Sequence, residues 1–294
     1  MKFLAKKVHG NSLWSDALRR LLSDPFAVWS FVIIVLFLVV AVTCKMGIMA
    51  SGWDQEIGGP RDFPNFSKDW RYWLGLDLFG RSIAAKTLQA TWTAMYVGIV
   101  SSLISIPMGF VVGAVAGYFG GWIDDVISWV LSTMSSIPEL LLLVAVATAL
   151  EKGLMSVCIA LGVTSWVSVA RLIRGEFLKH KTREYVTAAA AIGGGHGRRI
   201  FRHIFPNVLH VIIIRFSLSF VIAIKSEVVL TYLGLGAPTG TASWGIMIDD
   251  AKGELIQGFW WNLYSSTFAM FLIVLAFSLF ADALRDAVDP KLRT

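Results

Sequence analysis

The chain has 294 residues, of which 56% are hydrophobic and only 16% charged, and its mean hydropathy is +0.67. A soluble domain has roughly 25% charged and about 45–50% apolar residues, so this chain is predicted to be an integral membrane protein. A disordered tail, a collagen and a disulfide-stapled secreted domain are excluded; Cys44 and Cys158 both lie in apolar runs. We attribute the net charge of +6 to basic cytoplasmic loops, not to nucleic-acid binding.

Residues 1–25 form a basic N-terminal segment without the apolar core of a cleavable signal peptide. Apolar residues within 12–24 fall on one helical face, with Arg19 and Arg20 beside them. The pattern predicts a short amphipathic helix in the inner membrane interface, after which Pro25 turns the chain into the membrane. The following apolar segment, 26–50, is too long for a signal peptide and is expected to remain as an anchor.

Six apolar runs are long enough to cross a bilayer, because about 20 helical residues span its hydrocarbon core. They predict an all-α integral membrane protein with six transmembrane helices. The second run is punctuated by Pro107 and three glycines, and the fourth is weakened by polar residues. The predicted spans are 26–43, 90–118, 126–150, 155–173, 208–233 and 265–284.

The segment 51–82 between the first two spans is polar and contains proline. It is also rich in aromatic residues, among them Trp53, Trp70, Tyr72 and Trp73. These side chains fit an interfacial aromatic belt at the outer membrane surface at least as well as they fit ligand contact.

The distribution of Lys and Arg predicts the orientation. Segments 1–25, 171–207 and 285–294 carry five, eight and three basic residues, whereas 50–82, 151–155 and 236–264 carry four, one and one. Basic residues accumulate on the cytoplasmic side, so both termini are predicted to be cytoplasmic.

The cytoplasmic segment 174–207 is basic and rich in alanine. Its residues 184–192 are predicted to be helical, because alanine loses no side-chain entropy in a helix, and the glycines from Gly193 onward should end that helix. A second short helix over 198–204 should lead to Pro206. Small side chains would let a groove of another protein approach the backbone closely, so a docking element and an ordinary loop are both compatible with these residues.

This segment resembles the EAA loop of ABC importer permeases, which has the pattern Glu-Ala-Ala, three residues, Gly, nine residues, Ile, any residue, Leu, Pro. Ala188, Ala189, Gly193 and Pro206 match it at the expected spacing. Phe205 stands for the leucine. Two positions depart from the pattern: Thr187 occupies the glutamate position and His203 the isoleucine position.

Further elements resemble the dipeptide/oligopeptide/nickel permease family over about residues 70–294, and their order indicates the second, shorter permease subunit. They include Arg202 and Asn207 around the proline and residues 74–81, with a Leu-Gly-x-Asp-x-x-Gly-Arg pattern. Six further elements also fit the pattern of this family: residues 117–124, Glu227, 233–236, Pro238, 243–245 and 286–290.

The resemblance implies a type I ABC importer permease fold in the bacterial cytoplasmic (inner) membrane, and a coupling helix that docks on an ATP-binding subunit. It implies four partners: a second homologous permease subunit, two ATP-binding subunits and an external solute-binding protein. The chain has no phosphate-binding loop, so we expect it not to be an enzyme and not to bind cofactors; ATP and Mg²⁺ should bind to partner subunits. The coupling residues implied are Glu184, Tyr185, Thr187, Ala188, Ala189, Gly193, Arg202, Pro206 and Asn207.

The substrate implied is a di- or oligopeptide, while nickel or metal chelates, glutathione and antimicrobial peptides are alternatives within the family. An export or channel subunit without a binding protein is a further alternative. The predicted organisation begins with a cytoplasmic segment (1–25), a first span (26–50) and an external loop (51–82). A permease core (83–285), which includes the coupling loop (174–207), and a cytoplasmic tail (286–294) follow.

Four charged residues lie in or beside predicted spans: Arg215, Lys225, Glu227 and Glu139. Charges at membrane depth are costly and usually face a water path or one another, so these are candidates for the translocation path. Arg215 or Lys225 could favour a substrate that carries a carboxylate. The alternative is a structural pair or snorkelling to an interface; Lys225 and Glu227, two residues apart, should point to different helix faces.

Asp249, Asp250 and Glu254 lie in the predicted outer loop and are candidates for contact with the binding protein, although such a cluster also fits a solvated face. His196 and two further histidines recur every seven residues, but Gly197 and Pro206 should interrupt any shared helix, so no metal site is predicted. No protease motif is present, which disfavours an intramembrane enzyme.

Overall fold

The computed structural model describes residues 13–288, with side chains from residue 18 onward, and this part of the chain is built of helices without a β-strand. Two short pieces accompany them, a 3₁₀ turn at Trp70–Tyr72 and a π-helical turn at Arg199–Ile204. The helices are α1 (Leu13–Ser23), α2 (Pro25–Lys45), α3 (Ile83–Phe119), α4 (Gly121–Ser136), α5 (Glu139–Ala149), α6 (Leu154–Lys181), α7 (Glu184–Ala191), α8 (His196–Arg198), α9 (Phe205–Tyr232), α10 (Trp244–Ile256) and α11 (Trp261–Val288).

Five helices of the described chain are long and apolar enough to cross a membrane: α2, α3, α6, the run His196–Tyr232, and α11. They correspond to the predicted first, second, fourth, fifth and sixth spans. The predicted third span, 126–150, is instead broken into α4 and α5, which meet at an angle of 89°. Pro138 explains the break, because proline lacks an N–H and disfavours helical geometry in the residue before it; Ile137 is accordingly extended, with φ −85° and ψ 129°.

The N-terminal amphipathic helix is confirmed as α1, although residue 12, its predicted start, lies outside the described residues. Asp24 separates it from α2, and its side chain accepts a hydrogen bond from the backbone N–H of Phe26 at 3.0 Å. Pro25 then occupies the first turn of α2, where a missing N–H costs nothing.

Among the described helices, α3 and α6 share the most extensive contact, and Gly109, Gly113 and Gly117 line one face of α3 within it. A Cβ atom added at Gly113 would lie 2.4 Å from the carbonyl oxygen of Ala170, and one at Gly117 would lie 2.6 Å from that of Arg174. Both neighbours are backbone atoms, which cannot move aside easily. Glycines four residues apart therefore bring the two backbones together, as in small-residue interfaces between membrane helices.

Two sets of loops lie at opposite ends of the helices. The long-loop end comprises residues 46–82 and 233–260, and the alanine-helix end comprises residues 182–204. At the long-loop end, two buried tryptophans attach the loops to the bundle: Nε1 of Trp244 donates to the carbonyl of Thr87, and Nε1 of Trp261 donates to that of Leu76, each at 3.1 Å. Both indoles thus bury their rings while satisfying their polar N–H.

The run from His196 to Tyr232 is continuously helical, which corrects the prediction of a separate helix over 198–204. Gly197 and Pro206 do not interrupt it. The π-helical turn Arg199–Ile204 ends two residues before Pro206, which sits in the first turn of α9. Pro206 lies inside the continuous run, where its missing N–H removes a regular α-helical hydrogen bond. The π turn shifts the bonding pattern just before it, with the N–H of Phe205 donating to the carbonyl of Ile200, and the helix continues.

We predict that Gly113→Ala lowers the thermal stability of the protein in detergent by several degrees, since the added methyl group meets backbone atoms and overpacking costs about 1–3 kcal/mol. The matched control is Gly175→Ala on α6, where an added Cβ meets no atom within 4 Å and alanine favours the helix. Thermal unfolding of the two purified variants measures the difference. Equal midpoints would contradict a requirement for close approach of α3 and α6.

Candidate functional site

The alanine-rich helix predicted over 184–192 is confirmed as α7, and a glycine turn ends it. Gly193 has φ +82°, the left-handed region that glycine adopts without steric cost. Its N–H donates to the carbonyl of Ala190 at 3.0 Å, and the N–H of Gly194 donates to that of Ala189 at 2.8 Å. This pair of bonds is the Schellman arrangement, which satisfies carbonyls that a helix end leaves open.

Helix α7 is attached to the bundle by one apolar face. Val186 and Ala189 are buried, and Val186 joins a core cluster with Phe177 of α6 and with Ile204 and Val208 of the long helical run. Tyr185 adds a polar contact, because its hydroxyl lies 2.6 Å from Nδ1 of His180. Partial burial raises the pKa of the Tyr185 phenol. The helix is thus held by both α6 and the run that continues into α9.

The remaining predicted coupling residues lie together at the alanine-helix end, and most are open to solvent. Asn207 differs, since it is half-buried and its Nδ2 donates to the carbonyl of His203 at 2.7 Å. Ala189 is buried, as described above. The exposed members are Glu184, Tyr185, Thr187, Ala188, Gly193, Arg202 and Pro206.

Two apolar side chains at this end were missed by the sequence reasoning. Ile192, directly after α7, is 86% exposed, and Phe201, in the π-helical turn, is 64% exposed. Large apolar side chains that project from a polar surface are typical of the anchors of protein interfaces. In the sequence, each of the two is a large apolar residue in a stretch of alanine, glycine and basic residues, which is the feature that indicates an exposed apolar side chain here.

The charged residues of α9 divide between two faces. Glu227 is 2% exposed, and its Oε1 accepts hydrogen bonds from the hydroxyls of Thr231 and Ser243, each at 2.8 Å. Lys225 is exposed on another face. The prediction that these two side chains point apart is confirmed, and Glu227 connects α9 to the segment that leads into α10 instead of lining an open surface.

The open face of α9 carries two cations. Arg215 and Lys225 are ten residues apart, about 15 Å along the helix axis. Between and beyond them, Ile222, Val229 and Tyr232 recur at helical spacing and are partly or fully exposed. Nη2 of Arg215 donates to Oγ of Ser168 on α6, and its Nε has no partner in the described structure.

Glu139, the fourth predicted path residue, is exposed at the first position of α5, directly after the bend at Pro138. Within the described structure Glu139 forms no ion pair with Arg215 shorter than 4.0 Å, but its negative charge acts on the Arg215 guanidinium. The structure therefore places Arg215 and Lys225 on the open side of α9, Glu139 at the start of α5 within electrostatic reach of Arg215, and Glu227 in the interior.

A buried ion network ties the two halves of the long-loop end together. Nζ of Lys86, on the first turn of α3, lies 3.5 Å from Oδ2 of Asp77 and 3.0 Å from Oδ2 of Asp250 on α10. Nη2 of Arg81 lies 2.7 Å from the same Asp77 oxygen. The other oxygen, Oδ1, accepts from the backbone N–H groups of Phe79 and Arg81 at 2.9 and 3.0 Å.

The three predicted outer acids have three different environments. Asp249 forms an exposed pair with Lys252, and the hydrogen bond from that pair raises the pKa of the lysine. Asp250 binds Lys86, as described above. Glu254 is buried, and burial raises the pKa of its carboxyl, with the negative charges of Asp250 and Asp77 acting in the same direction. Of the three, Glu254 does not lie on the open surface.

His196 contacts side chains other than the two further histidines of the seven-residue series. Nδ1 of His196 lies 3.0 Å from the hydroxyl of Tyr118 and 3.1 Å from Nη2 of Arg199. Within residues 13–288, no three His, Cys, Asp or Glu side chains are placed to hold a metal ion.

Comparisons with known proteins show the family to which the chain belongs. The family model of the binding-protein-dependent transport system inner membrane component matches residues 109–294, and the model of the N-terminal transmembrane domain of oligopeptide transport permease C matches residues 12–49. The oligopeptide transport system permease protein OppC of Bacillus subtilis is 34% identical over 96% of this chain and 91% of its own length. The dipeptide transport system permease protein DppC of the same organism is 33% identical over 96% and 87%.

Two further comparisons concern a permease named for another substrate and a solved structure of low sequence identity. The glutathione transport system permease protein GsiD of Pectobacterium atrosepticum is 32% identical over 96% of this chain and 92% of its own length. The crystal structure of an amino acid ABC transporter with histidines covers 67% of this chain and 91% of its own, with a TM-score of 0.50 and 16% identity. The structural similarity supports the fold alone.

Proposed function

Since the chain belongs to the family of inner membrane components of binding-protein-dependent transport systems, we propose that it is the permease subunit of an ATP-driven peptide importer. It forms the translocation path with a second, homologous permease subunit. Two ATP-binding subunits carry ATP and Mg²⁺, and a solute-binding protein delivers the substrate. The protein is a multi-pass membrane protein, and we place it in the bacterial inner membrane.

The orientation follows from charge. The alanine-helix end belongs to the segment 171–207, which carries eight of the basic residues, so this end faces the cytoplasm and the long-loop end faces outward. The ATP-binding subunits therefore meet α7, whereas the binding protein meets residues 46–82 and 233–260.

One observation carries the coupling role: the capped helix α7 is fixed to the bundle by Val186 and has the exposed Ile192 at its end, while the exposed Phe201 projects from the π-helical turn that follows. Such anchors gain affinity by burial in a partner's pocket. Movement of the ATP-binding subunits is then transmitted through the Val186 cluster to α6 and α9, a rigid-body mechanism that fits alternating access.

Peptide transport is supported by the relatives named for oligopeptides and dipeptides and by the cations on the open face of α9. Arg215 and Lys225 would attract the carboxylate of a peptide along the path, because charges at membrane depth attract strongly in a low dielectric. Glutathione, itself a peptide with carboxylates, is the second candidate and is favoured by the similarity to the glutathione permease. The alternative substrates are metal chelates and antimicrobial peptides, and the alternative protein class is an exporter or channel without a binding protein. Transport assays have to distinguish peptide import from these alternatives.

We expect Arg215→Gln and Lys225→Leu each to reduce uptake of peptides with a free C-terminal carboxylate by about tenfold, the effect of roughly 1.4 kcal/mol. Uptake by reconstituted proteoliposomes, with free-acid and C-terminally amidated peptides compared, measures it. Amidated peptides should be affected less. Unchanged kinetics and specificity in both variants would refute the role of these cations.

We expect Ile192→Asp to prevent co-purification of the ATP-binding subunits, because the docking pocket would have to bury an unpaired carboxylate. Ile256→Asp is the matched control, since Ile256 is 89% exposed but lies at the opposite end of the molecule. Co-purification from detergent extracts followed by ATPase assay distinguishes them. Normal recovery of ATPase with Ile192→Asp would refute the docking surface, and an absence of ATP-binding subunits from the wild-type preparation would refute the proposed function.

Gly193→Asp should uncouple ATP hydrolysis from uptake without unfolding the chain. Any side chain at φ +82° strains the turn that ends α7, and the resulting shift displaces Ile192. Gly195→Asp adds the same charge two residues later, where φ is −65° and no atom lies within 4 Å of the added Cβ. The ratio of uptake rate to ATPase rate should decrease in Gly193→Asp and stay at the wild-type value in Gly195→Asp. The same ratio in both variants would contradict a role of the turn.

A further inference from the structure

The joint between α6 and α7 contains a chain of polar side chains in addition to its apolar contact. Only Thr182 and Arg183 separate the two helices, and α7 begins without a side-chain cap. A connection of two residues does not by itself prevent a short helix from rotating about its own axis. The side chains that fix this rotation therefore determine the position of Ile192 at the end of α7.

The apolar contact alone does not fix the rotation of α7. Val186 and Ala189 are both buried and, being three residues apart, lie on the same face of the helix. A single line of contact of this kind acts as a hinge, about which the helix can roll. Tyr185 precedes Val186 by one residue, which is about 100° around the helix. A bond from the Tyr185 hydroxyl therefore holds the helix along a second line.

His180, in the last turn of α6, provides that bond. Its Nδ1 lies 2.6 Å from the hydroxyl of Tyr185. Its other ring nitrogen, Nε2, lies 3.5 Å from Oε2 of Glu176, one turn earlier on α6. A carboxylate beside Nε2 favours a proton on that nitrogen, so Nδ1 is left to accept the hydrogen bond of the tyrosine. Glu176 thus orients the imidazole ring and selects its tautomer.

Charged groups from α6, the linker and α9 surround this chain. The side chains of His180 and Glu176 are only 15% and 21% exposed, so the contacts are partly shielded from water. Nζ of Lys179 lies 3.3 Å from the same Glu176 oxygen. The charge of Glu176 also acts on the ring of His210 on α9, and the charge of Arg183 acts on His180. The chain therefore lies at the junction of α6, α7 and α9.

We propose that His180 and Glu176 are positioning residues for coupling, because the chain Glu176–His180–Tyr185 fixes the rotation of α7 on α6. A displacement of Ile192 by an ATP-binding subunit is then passed to α6 instead of turning α7 about its own axis. The inference rests on the function proposed above, in which α7 meets the ATP-binding subunits. It adds two residues to the coupling set, and neither of them belongs to the EAA pattern.

The test uses the complete transporter, with both permease subunits, both ATP-binding subunits and the solute-binding protein, in proteoliposomes. Uptake of a labelled mixture of di- and oligopeptides is measured together with ATP hydrolysis, and the ratio of the two rates reports coupling. His180→Ala and Tyr185→Phe should each lower this ratio about fivefold, the effect of one partly shielded hydrogen bond. The double variant should lose no more than either single variant, since all three lack the same bond.

Two further variants separate positioning from a general loss of packing. His180→Asn places an amide near the position of Nδ1, where it can accept the bond from Tyr185, so the ratio should return to within about twofold of the wild type. Tyr118→Phe is the matched control. It removes a hydroxyl that lies 3.0 Å from Nδ1 of His196, at the same end of the molecule, but that contact joins α3 to α8 and not to α7. Its ratio should equal that of the wild type.

Co-purification of the ATP-binding subunits should be unchanged in every variant, because Ile192 and Phe201 are retained. Thermal unfolding is measured in parallel, and if His180→Ala does not fold, Tyr185→Phe decides. Wild-type ratios in the folded variants, or an equal loss in Tyr118→Phe, would overturn the positioning role and leave the proposed function intact. Absence of ATP-driven uptake by the wild type would overturn both.

Discussion

The structure depends on the close approach of α3 and α6. Gly109, Gly113 and Gly117 remove the side chains that would separate these helices, and backbone carbonyls of α6 occupy the space. In a membrane, helices gain little from the hydrophobic effect when they associate, so packing of this kind has to supply the adhesion. The remaining helices are arranged around this pair, with α9 and α2 both packed on α3.

This packing determines how the alanine-helix end is connected to the interior. Phe177 of α6 and Val208 of α9 lie in the same apolar cluster as Val186 of α7, so the short helix rests on two membrane helices at once. At the other end, Lys86 joins the beginning of α3 to α10 through Asp250, and Glu227 joins α9 to the segment before α10. Buried side chains thus attach the loops at both ends to particular helices. A movement of one of these helices would therefore move the loop attached to it.

The positions of most helices could be predicted from the sequence, because span length, alanine content and glycine turns determine local structure from neighbouring residues alone. Five spans and α7 were predicted in this way. The bend at Pro138 could not be placed, since the apolar run continues across it and hydropathy contains no directional information. The burial of Glu254 was also beyond prediction, because it depends on contacts between residues distant in sequence. Ile192 and Phe201 were visible in the sequence, but their exposure depends on the tertiary fold.

The uninterrupted helix from His196 to Tyr232 has a mechanical consequence. Its 37 residues amount to about 55 Å along the helix axis, from His196, just before the π-helical turn that contains Phe201, to Tyr232, next to the Thr231 that donates to Glu227. An uninterrupted helix transmits displacement along its axis, so a movement at the alanine-helix end reaches the region of Glu227. The π-helical turn near the start of the run is where the hydrogen-bond pattern departs from the α-helix, and there the helical pitch can adjust.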